Sequence, residues 1–448
     1  MLLNFTLSNW MSYRDEASLS MISSLERQHG ETRSELPGFR SKKILPVAAV
    51  YGGNSSGKTA LFKGLAALRE MVLTDPGVDG LLPIRPFMLD SQSSMSPTMF
   101  DITFLAGRTT YRLVVEATRF SVSYECLEIV KEGQSIDVYE RDASRDERFQ
   151  LNRELFSDPD HVLYAAKSTR SNQVFLGAGF SQNIDELREP FGWFAETLEL
   201  VGVESQAWSF ATAATDREDF LRYAGEALSR MDTGICGLVG ERVEVDALPP
   251  DARLLKRASA LKEDETITVV VDRAPGDYGF EMLSVRGGDS RPDVQRLRTL
   301  HRGPDGEEHS FGLSAESSGT QRLMGLLPML FDLSGESGSH GSKVFVVDEL
   351  DRCFHTMLTS RLIEDFLATC GPDKRKQLLF TTHDLLLMDQ SLMRRDEMYI
   401  AQRGSDGRSQ IVALSDFEGI RFDKDLIKSY LEGRFGGIPM LGEVSDHG

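Results

Sequence analysis

Hydrophobic and polar positions change period several times along the chain, and each change predicts a different kind of element. Residues 47–50 are an unbroken apolar run, and from Ala60 to Val72 the positions Leu61, Leu65, Leu68 and Val72 recur at helical spacing, so a strand runs into an amphipathic helix. From about 96 to 130 the pattern alternates, as in Phe100-Asp101-Ile102-Thr103-Phe104 and Tyr111-Arg112-Leu113-Val114-Val115, and it continues through Tyr124 to Val138. Such alternation predicts antiparallel strands. Between Arg188 and Asp232 the period is helical again, through Phe191, Phe194, Leu198, Phe220, Leu221, Ala224 and Leu228. Ile267 to Val271 and Phe280 to Val285 return to strands. Segments 27–42, 139–160, 272–280 and 333–342 are rich in Gly, Ser, Asp or charge and read as loops. There is no internal repeat, and no heptad pattern persists as a long coiled-coil arm requires.

The junction between the first strand and its helix carries the most specific chemistry. Gly52-Gly53-Asn54-Ser55-Ser56-Gly57-Lys58-Thr59 has the G-x-x-x-x-G-K-T spacing of a phosphate-binding loop. Gly52 and Gly57 let successive N–H groups face a phosphate at a helix start. Lys58 suits the β- and γ-phosphates, and Thr59 offers a hydroxyl to Mg2+. Asn54, Ser55, Ser56 and Ala60 complete the candidate nucleotide contacts.

Downstream, Lys343-Val344-Phe345-Val346-Val347 reads as a central parallel strand ending in Asp348-Glu349. In that position Asp348 suits the magnesium shell and Glu349 suits the activation of water. The structural alternative is a helix whose first turn favours acids. A third apolar strand, Gln377 to Thr381, leads into Thr382-His383-Asp384, where His383 is either a contact to the γ-phosphate or attacking water, or a surface cap. Between these regions Glu316-Ser317-Ser318-Gly319-Thr320 precedes an apolar helix, and Ser317, Ser318 and Gly319 read equally as a second anion site or as an N-cap.

The order of these motifs resembles that of the ABC-type ATPases. The closer resemblance is to the soluble AAA-like members of bacterial antiphage defence, of the RloA, AbiL and PARIS type, related to the overcoming-lysogenization-defect ATPases. Asn9-Trp10-Met11-Ser12-Tyr13 is similar to that family's N-F-R-S-F, and Glu316 to Thr320 to its E-S-x-G-T. Asp348-Glu349 with Phe354-His355 is similar to D-E-x-x-x-x-L-H-P, and Tyr430 to Pro439 to the terminal Y-x-x-G-R-Y-G-A-x-P. Met11 stands at the family's arginine and Thr356 at its proline; Gln92 is the candidate for a Q-loop glutamine.

The resemblance implies an α/β P-loop NTPase fold: an ABC-type head with an antiparallel β-subdomain and a helical insertion. Residues 1–165 are expected to form the N-terminal half of the head, 166–265 a mainly helical insertion and 266–448 the C-terminal half. It further implies ATP and Mg2+ as ligands, with Glu349, His383 and Lys58 catalytic and Thr59 and Asp348 on the metal. Ser317 and Gly319 are then expected to act in trans, in a head-to-tail homodimer or a larger ring of dimers. The expected output is a switch controlling a separate effector such as a TOPRIM or RloB-like nuclease, because the chain shows no spare carboxylate cluster for one. The rival expectation is a DNA-repair or SMC-like ATPase acting on DNA.

Charge bears on that rivalry. A formal net charge of −19 over 448 residues opposes uniform coating of nucleic acid. The local basic candidates are Arg291, Arg296, Arg298 and Arg302, with Lys167 and Arg170 elsewhere. Cys126, Cys236, Cys353 and Cys370 show no paired metal spacing, which with the acidic balance fits a reducing cytoplasm. No apolar stretch approaches the roughly 20 residues that cross a bilayer, so no membrane association is expected.

Overall fold

The computed structural model describes residues 1–202, 210, 213–214, 217–231, 233–243, 266–272, 280–286, 293–334, 341–352, 354–417 and 426–436. Arg291, Cys353, the end of the terminal motif (437–439) and parts of the loops expected at 272–280 and 333–342 lie outside these residues. Contacts divide the chain into two compact units, one of 1–200, 341–351 and 363–448, the other of 201–340 and 352–362.

The first unit holds two sheets. Strands Leu198–Val201, Lys343–Val347, Lys376–Thr381, Val47–Tyr51, Met398–Arg403 and Ser409–Ala413 form a six-stranded sheet in that order. Val47–Tyr51 is parallel to both of its neighbours, Lys376–Thr381 and Met398–Arg403. All five of its residues are buried, which is why the sequence there is apolar without alternation. The second sheet is antiparallel and seven-stranded, running Phe149–Leu151, Gln134–Asp142, Val122–Lys131, Thr109–Ala117, Thr98–Ala106, Leu2–Ser8 and Ala17–Ser20. One of its faces is buried, so Phe100, Ile102 and Phe104 are buried while the residues between them are half-exposed. Helix Lys58–Leu73 contributes Leu61, Leu65, Leu68 and Val72 to the shared core.

Side chains couple the two sheets: Tyr399 donates to the Ser20 carbonyl at 2.6 Å, and Gln377 makes a second join. Gln377, fully buried on a central parallel strand, accepts a hydrogen bond from the Leu2 N–H at 2.6 Å. Its amide donates to the carbonyls of Leu2 and Leu45 at 2.9 and 3.1 Å. These bonds satisfy backbone groups that would otherwise be orphaned where the antiparallel strand Leu2–Ser8 begins.

The second unit carries an antiparallel sheet ordered Ile235–Arg242, Asp293–Arg302, Phe280–Arg286 and Thr266–Asp272, with Glu308–Gly312 also pairing Asp293–Arg302. Helices Glu218–Arg230 and Ser318–Ser334 meet through Phe220 and Phe331, whose ring centroids are 5.4 Å apart.

Two readings of the pattern are corrected. Leu198, assigned a helical period, opens a strand that pairs at the edge of the parallel sheet. Segment 139–160, read as a loop, contains the end of strand Gln134–Asp142, strand Phe149–Leu151 and the start of helix Pro159–Ser168. Its charged residues occupy an edge hairpin, where Arg145 pairs with Glu140 at 2.6 Å. The composition is therefore that of a solvated strand edge.

Candidate functional site

Three neighbouring parallel strands deliver their chemistry to one edge. Val47–Tyr51 runs into the glycine loop, Lys343–Val347 into Asp348-Glu349, and Lys376–Thr381 into Thr382-His383. Ligands bind at such carboxyl edges because the strands end there and loops and helices begin. The loop turns through Ser55 and Gly57 at positive φ, 62° and 111°. A Cβ on Gly57 would lie 2.7 Å from Ser409 Oγ and 3.0 Å from the Tyr13 hydroxyl, so both torsion and space require glycine. Tyr13 donates a hydrogen bond to the Gly57 carbonyl at 3.2 Å, and Trp10 Nε1 donates to the Ala60 carbonyl at 2.7 Å. The N-terminal Asn9–Tyr13 segment thus buttresses the loop and the first helical turn.

Lys58 is 6% exposed and folds back on the loop, donating to the carbonyls of Gly52 and Gly53 at 2.6 and 3.1 Å. Burial lowers its pKa from 10.5 to about 8, against the opposing pull of Asp348, Glu349 and Asp351. An ammonium in that state gains by meeting an anion. Ser56 Oγ is buried with no hydrogen-bond partner among the described residues, a second group free to meet a ligand.

Asp348 Oδ1 accepts hydrogen bonds from Thr59 Oγ1 at 3.2 Å and Thr381 Oγ1 at 2.6 Å. Thr381 Oγ1 in turn accepts from the Glu349 N–H at 2.7 Å. Glu349 adopts φ 51°, a left-handed conformation that costs about 1–3 kcal/mol in a non-glycine residue. The His383 N–H donates to Asp351 Oδ2 at 3.2 Å. The hydroxyl of Thr59 and the carboxylate of Asp348 are the oxygen donors a magnesium ion prefers, and their contact places them together.

A cavity of about 550 Å³ is lined by Gly53, Asn54, Ser55, Ser56, Gly57, Lys58, Thr59, Ala60, Glu349 and His383. Gly52 and Asp348 are outside its lining, as is Gln92, an exposed residue of the short helix Ser91–Met95. Met11 and Ser12, from the N-terminal motif Asn9–Tyr13, also line it, and the sequence motifs missed the rest of the wall: Arg85, Pro86, Phe87, Met88, Leu89 and Arg403. The proline-flanked run Arg85-Pro86-Phe87 between a helix and a strand was the available signal.

The serine-glycine segment belongs to the second unit. Ser317 Oγ accepts from the Thr320 N–H at 3.1 Å and contacts Thr320 Oγ1 at 2.9 Å, so in this state it caps helix Ser318–Ser334. Ser317 and Ser318 are exposed. Glu316 accepts from Thr299 Oγ1 at 2.5 Å and lies 2.8 Å from His301 Nε2. His355 precedes helix Thr356–Ala368, and its Nδ1 accepts from the Met357 N–H at 3.2 Å, a capping role.

Of the basic candidates, Arg298 lies 3.6 Å from Glu241 and Arg302 3.5 Å from Glu308, while Arg170 pairs with Asp75. Cys126, Glu128 and Asp137 bring ligand atoms within 4.8 Å of one another, but Glu128 already pairs with Arg112 at 3.2 Å. Among the described residues no helix is long and apolar enough to cross a membrane.

A family model described as "AAA domain, putative AbiEii toxin, Type IV TA system" matches residues 47–389. No curated protein matches the chain. Among solved structures, a "Crystal structure of the SmcHead bound to the C-winged helix domain of ScpA" aligns over 92% of this chain and 97% of that one, at 12% identity and a TM-score of 0.36.

Proposed function

Because the chain belongs to this AAA-domain family, with a P-loop NTPase fold, we propose that it is an ABC-type ATPase working as a nucleotide-driven switch. The observation that carries the reading is the convergence of Lys58, Thr59, Glu349 and His383 on one cavity, with Thr59 in contact with Asp348. Family membership and the glycine loop make a nucleoside triphosphate the substrate class.

Each side chain then has a task. Loop N–H groups and Lys58 hold the phosphate chain, and the ammonium regains its charge-stabilising partner as the anion enters. Glu349 accepts a proton from the water that attacks the terminal phosphorus, and the bond to the leaving oxygen breaks to release phosphate and the diphosphate. Glu349 lines the cavity together with His383, which would orient that water. Magnesium, when bound, neutralises the phosphate charge; Thr59 and Asp348 would hold it.

The exposed start of helix Ser318–Ser334 supports closure against the phosphates of a second copy, with Ser317 and Gly319 acting in trans. The resulting head-to-tail dimer would open and close with hydrolysis and control a separate effector, a TOPRIM or RloB-like nuclease, in antiphage defence. The carboxylate pairing of Arg298, Arg302 and Arg170 favours this over direct action on DNA. Turnover of the Glu349→Gln protein tests the hydrolytic assignment: a drop of at least ~100-fold with nucleotide binding retained is expected, and an unchanged rate refutes it.

A further inference from the structure

Thr381 ends the central strand Lys376–Thr381 and has no place in the lining of the cavity at the glycine loop. Parallel pairing sets Phe380 beside Val347 on one side and Thr381 beside Val50 on the other. The next step of the first register brings Thr381 alongside Asp348, while it stays paired to the strand that feeds the glycine loop. The residue is fully buried. Its carbonyl accepts from the Leu350 N–H at 3.0 Å, and its hydroxyl is engaged on both sides. That hydroxyl donates to Asp348 Oδ1 at 2.6 Å and accepts from the Glu349 N–H at 2.7 Å.

Chemistry fixes the direction of these bonds. A carboxylate only accepts and a backbone N–H only donates, so the single hydroxyl proton of Thr381 goes to Asp348 and a lone pair receives Glu349. Thr59 Oγ1 donates to the same carboxylate oxygen at 3.2 Å. Two hydroxyls and one carboxylate thus join the Glu349 backbone to the first turn of helix Lys58–Leu73. Glu349 sits at φ 51°, and such a conformation in a non-glycine residue persists only where its surroundings fix it. A β-branched residue suits that task, because its χ1 is restricted. An apolar residue like the preceding Leu378, Leu379 and Phe380 would fill the position and supply neither side-chain bond.

We propose that Thr381 is a positioning residue for hydrolysis: its hydroxyl, anchored on Asp348, sets the backbone of Glu349 and so the place from which that carboxylate meets water. The inference rests on reading the cavity as a site of nucleoside-triphosphate hydrolysis. Lying outside the lining, Thr381 acts through Glu349 and not on the nucleotide. Its loss therefore slows the chemical step more than it weakens nucleotide binding, because the loop and Lys58 hold the phosphates whether or not Glu349 is in place.

Thr381→Val keeps the shape and removes the hydroxyl, whereas Thr381→Ser keeps the hydroxyl and removes the methyl. In the full chain with ATP and Mg2+, Thr381→Val should lower kcat ~10- to 100-fold while ATP affinity measured without Mg2+ stays within ~2-fold of wild type. Thr381→Ser should recover kcat to within ~3-fold of wild type. Added to Glu349→Gln, Thr381→Val should cost less than ~3-fold more, since the carboxylate it positions is already gone. Hydrogen exchange gives a readout free of turnover: the Glu349 amide should exchange at least ~10-fold faster in Thr381→Val and not in Thr381→Ser, while the amides of 376–380 stay protected. Wild-type kcat in Thr381→Val, or an equal loss in Thr381→Ser, overturns the proposal. So does a kcat loss matched by an equal loss of Mg2+-free ATP affinity, which marks general damage to the fold. Wild-type protein that does not hydrolyse ATP removes the hydrolytic reading and the rate claim with it, whereas unchanged exchange at Glu349 refutes the positioning itself.

Discussion

Lys58 combines a fixed position with an unfavourable electrostatic state. Its pKa of about 8 in the native chain lies below the 10.5 of an unburied lysine, so between those values the unfolded chain binds more protons. Stability of the nucleotide-free protein therefore rises with pH through that window. Urea midpoints at pH 7.5 and 9.5 should show the rise, and Lys58→Met should remove that component. Binding runs the other way: phosphate favours the ammonium, so affinity for ATP should fall as pH climbs past about 8. Calorimetry at pH 8.5 in buffers of different ionisation enthalpy should detect proton uptake on binding. Gly57 makes a steric demand instead. Gly57→Ala places a Cβ against Ser409 and Tyr13 at positive φ and should cost about 1–3 kcal/mol in urea unfolding, with nucleotide binding weakened as well. Both residues were legible because the loop's chemistry is local. Arg403, Met88 and Leu89 were not, and the proline-flanked run at Arg85 marks a loop without saying which cavity it will reach.

At the scale of elements, the buried parallel strand and the half-buried antiparallel strands announced themselves by period, as Val47–Tyr51 and Thr98–Ala106 demonstrate. Leu198–Val201 did not, because four residues are too few to distinguish two periods and only pairing within the sheet decides. The join between sheets is equally silent in the sequence. Gln377 is a lone polar residue at the start of an apolar run, and its three bonds to Leu2 and Leu45 depend on strands more than 300 residues apart in sequence. Gln377→Leu should keep the volume but leave a buried N–H and two carbonyls unsatisfied. We expect a loss of about 2–4 kcal/mol, read from chemical denaturation, with the nucleotide cavity weakened only as far as the sheets part.

At the scale of the whole molecule, the prediction concerns assembly. Glu349→Gln protein with ATP and Mg2+ should show twice its nucleotide-free mass, or a multiple, by native mass spectrometry. Adding Ser317→Arg to that variant should abolish the mass change and leave nucleotide binding to the phosphate loop intact, because Ser317 caps its own helix and is exposed. A mass that never changes would remove the composite-site model. The order of loop, serine-glycine segment, Asp-Glu strand and histidine strand is written in the linear chain, because each is a short pattern whose residue types answer to local backbone and local chemistry. That was enough for the fold class and for the part of the cavity lined by the glycine loop, Glu349 and His383. Which strands neighbour Val47–Tyr51, how Asn9 and Met11 anchor the wall around residues 85–89, and which hydroxyl joins Asp348 to Glu349 were settled only by tertiary structure. Those contacts join distant segments through packing and hydrogen bonding, and no local pattern encodes a partner that far away.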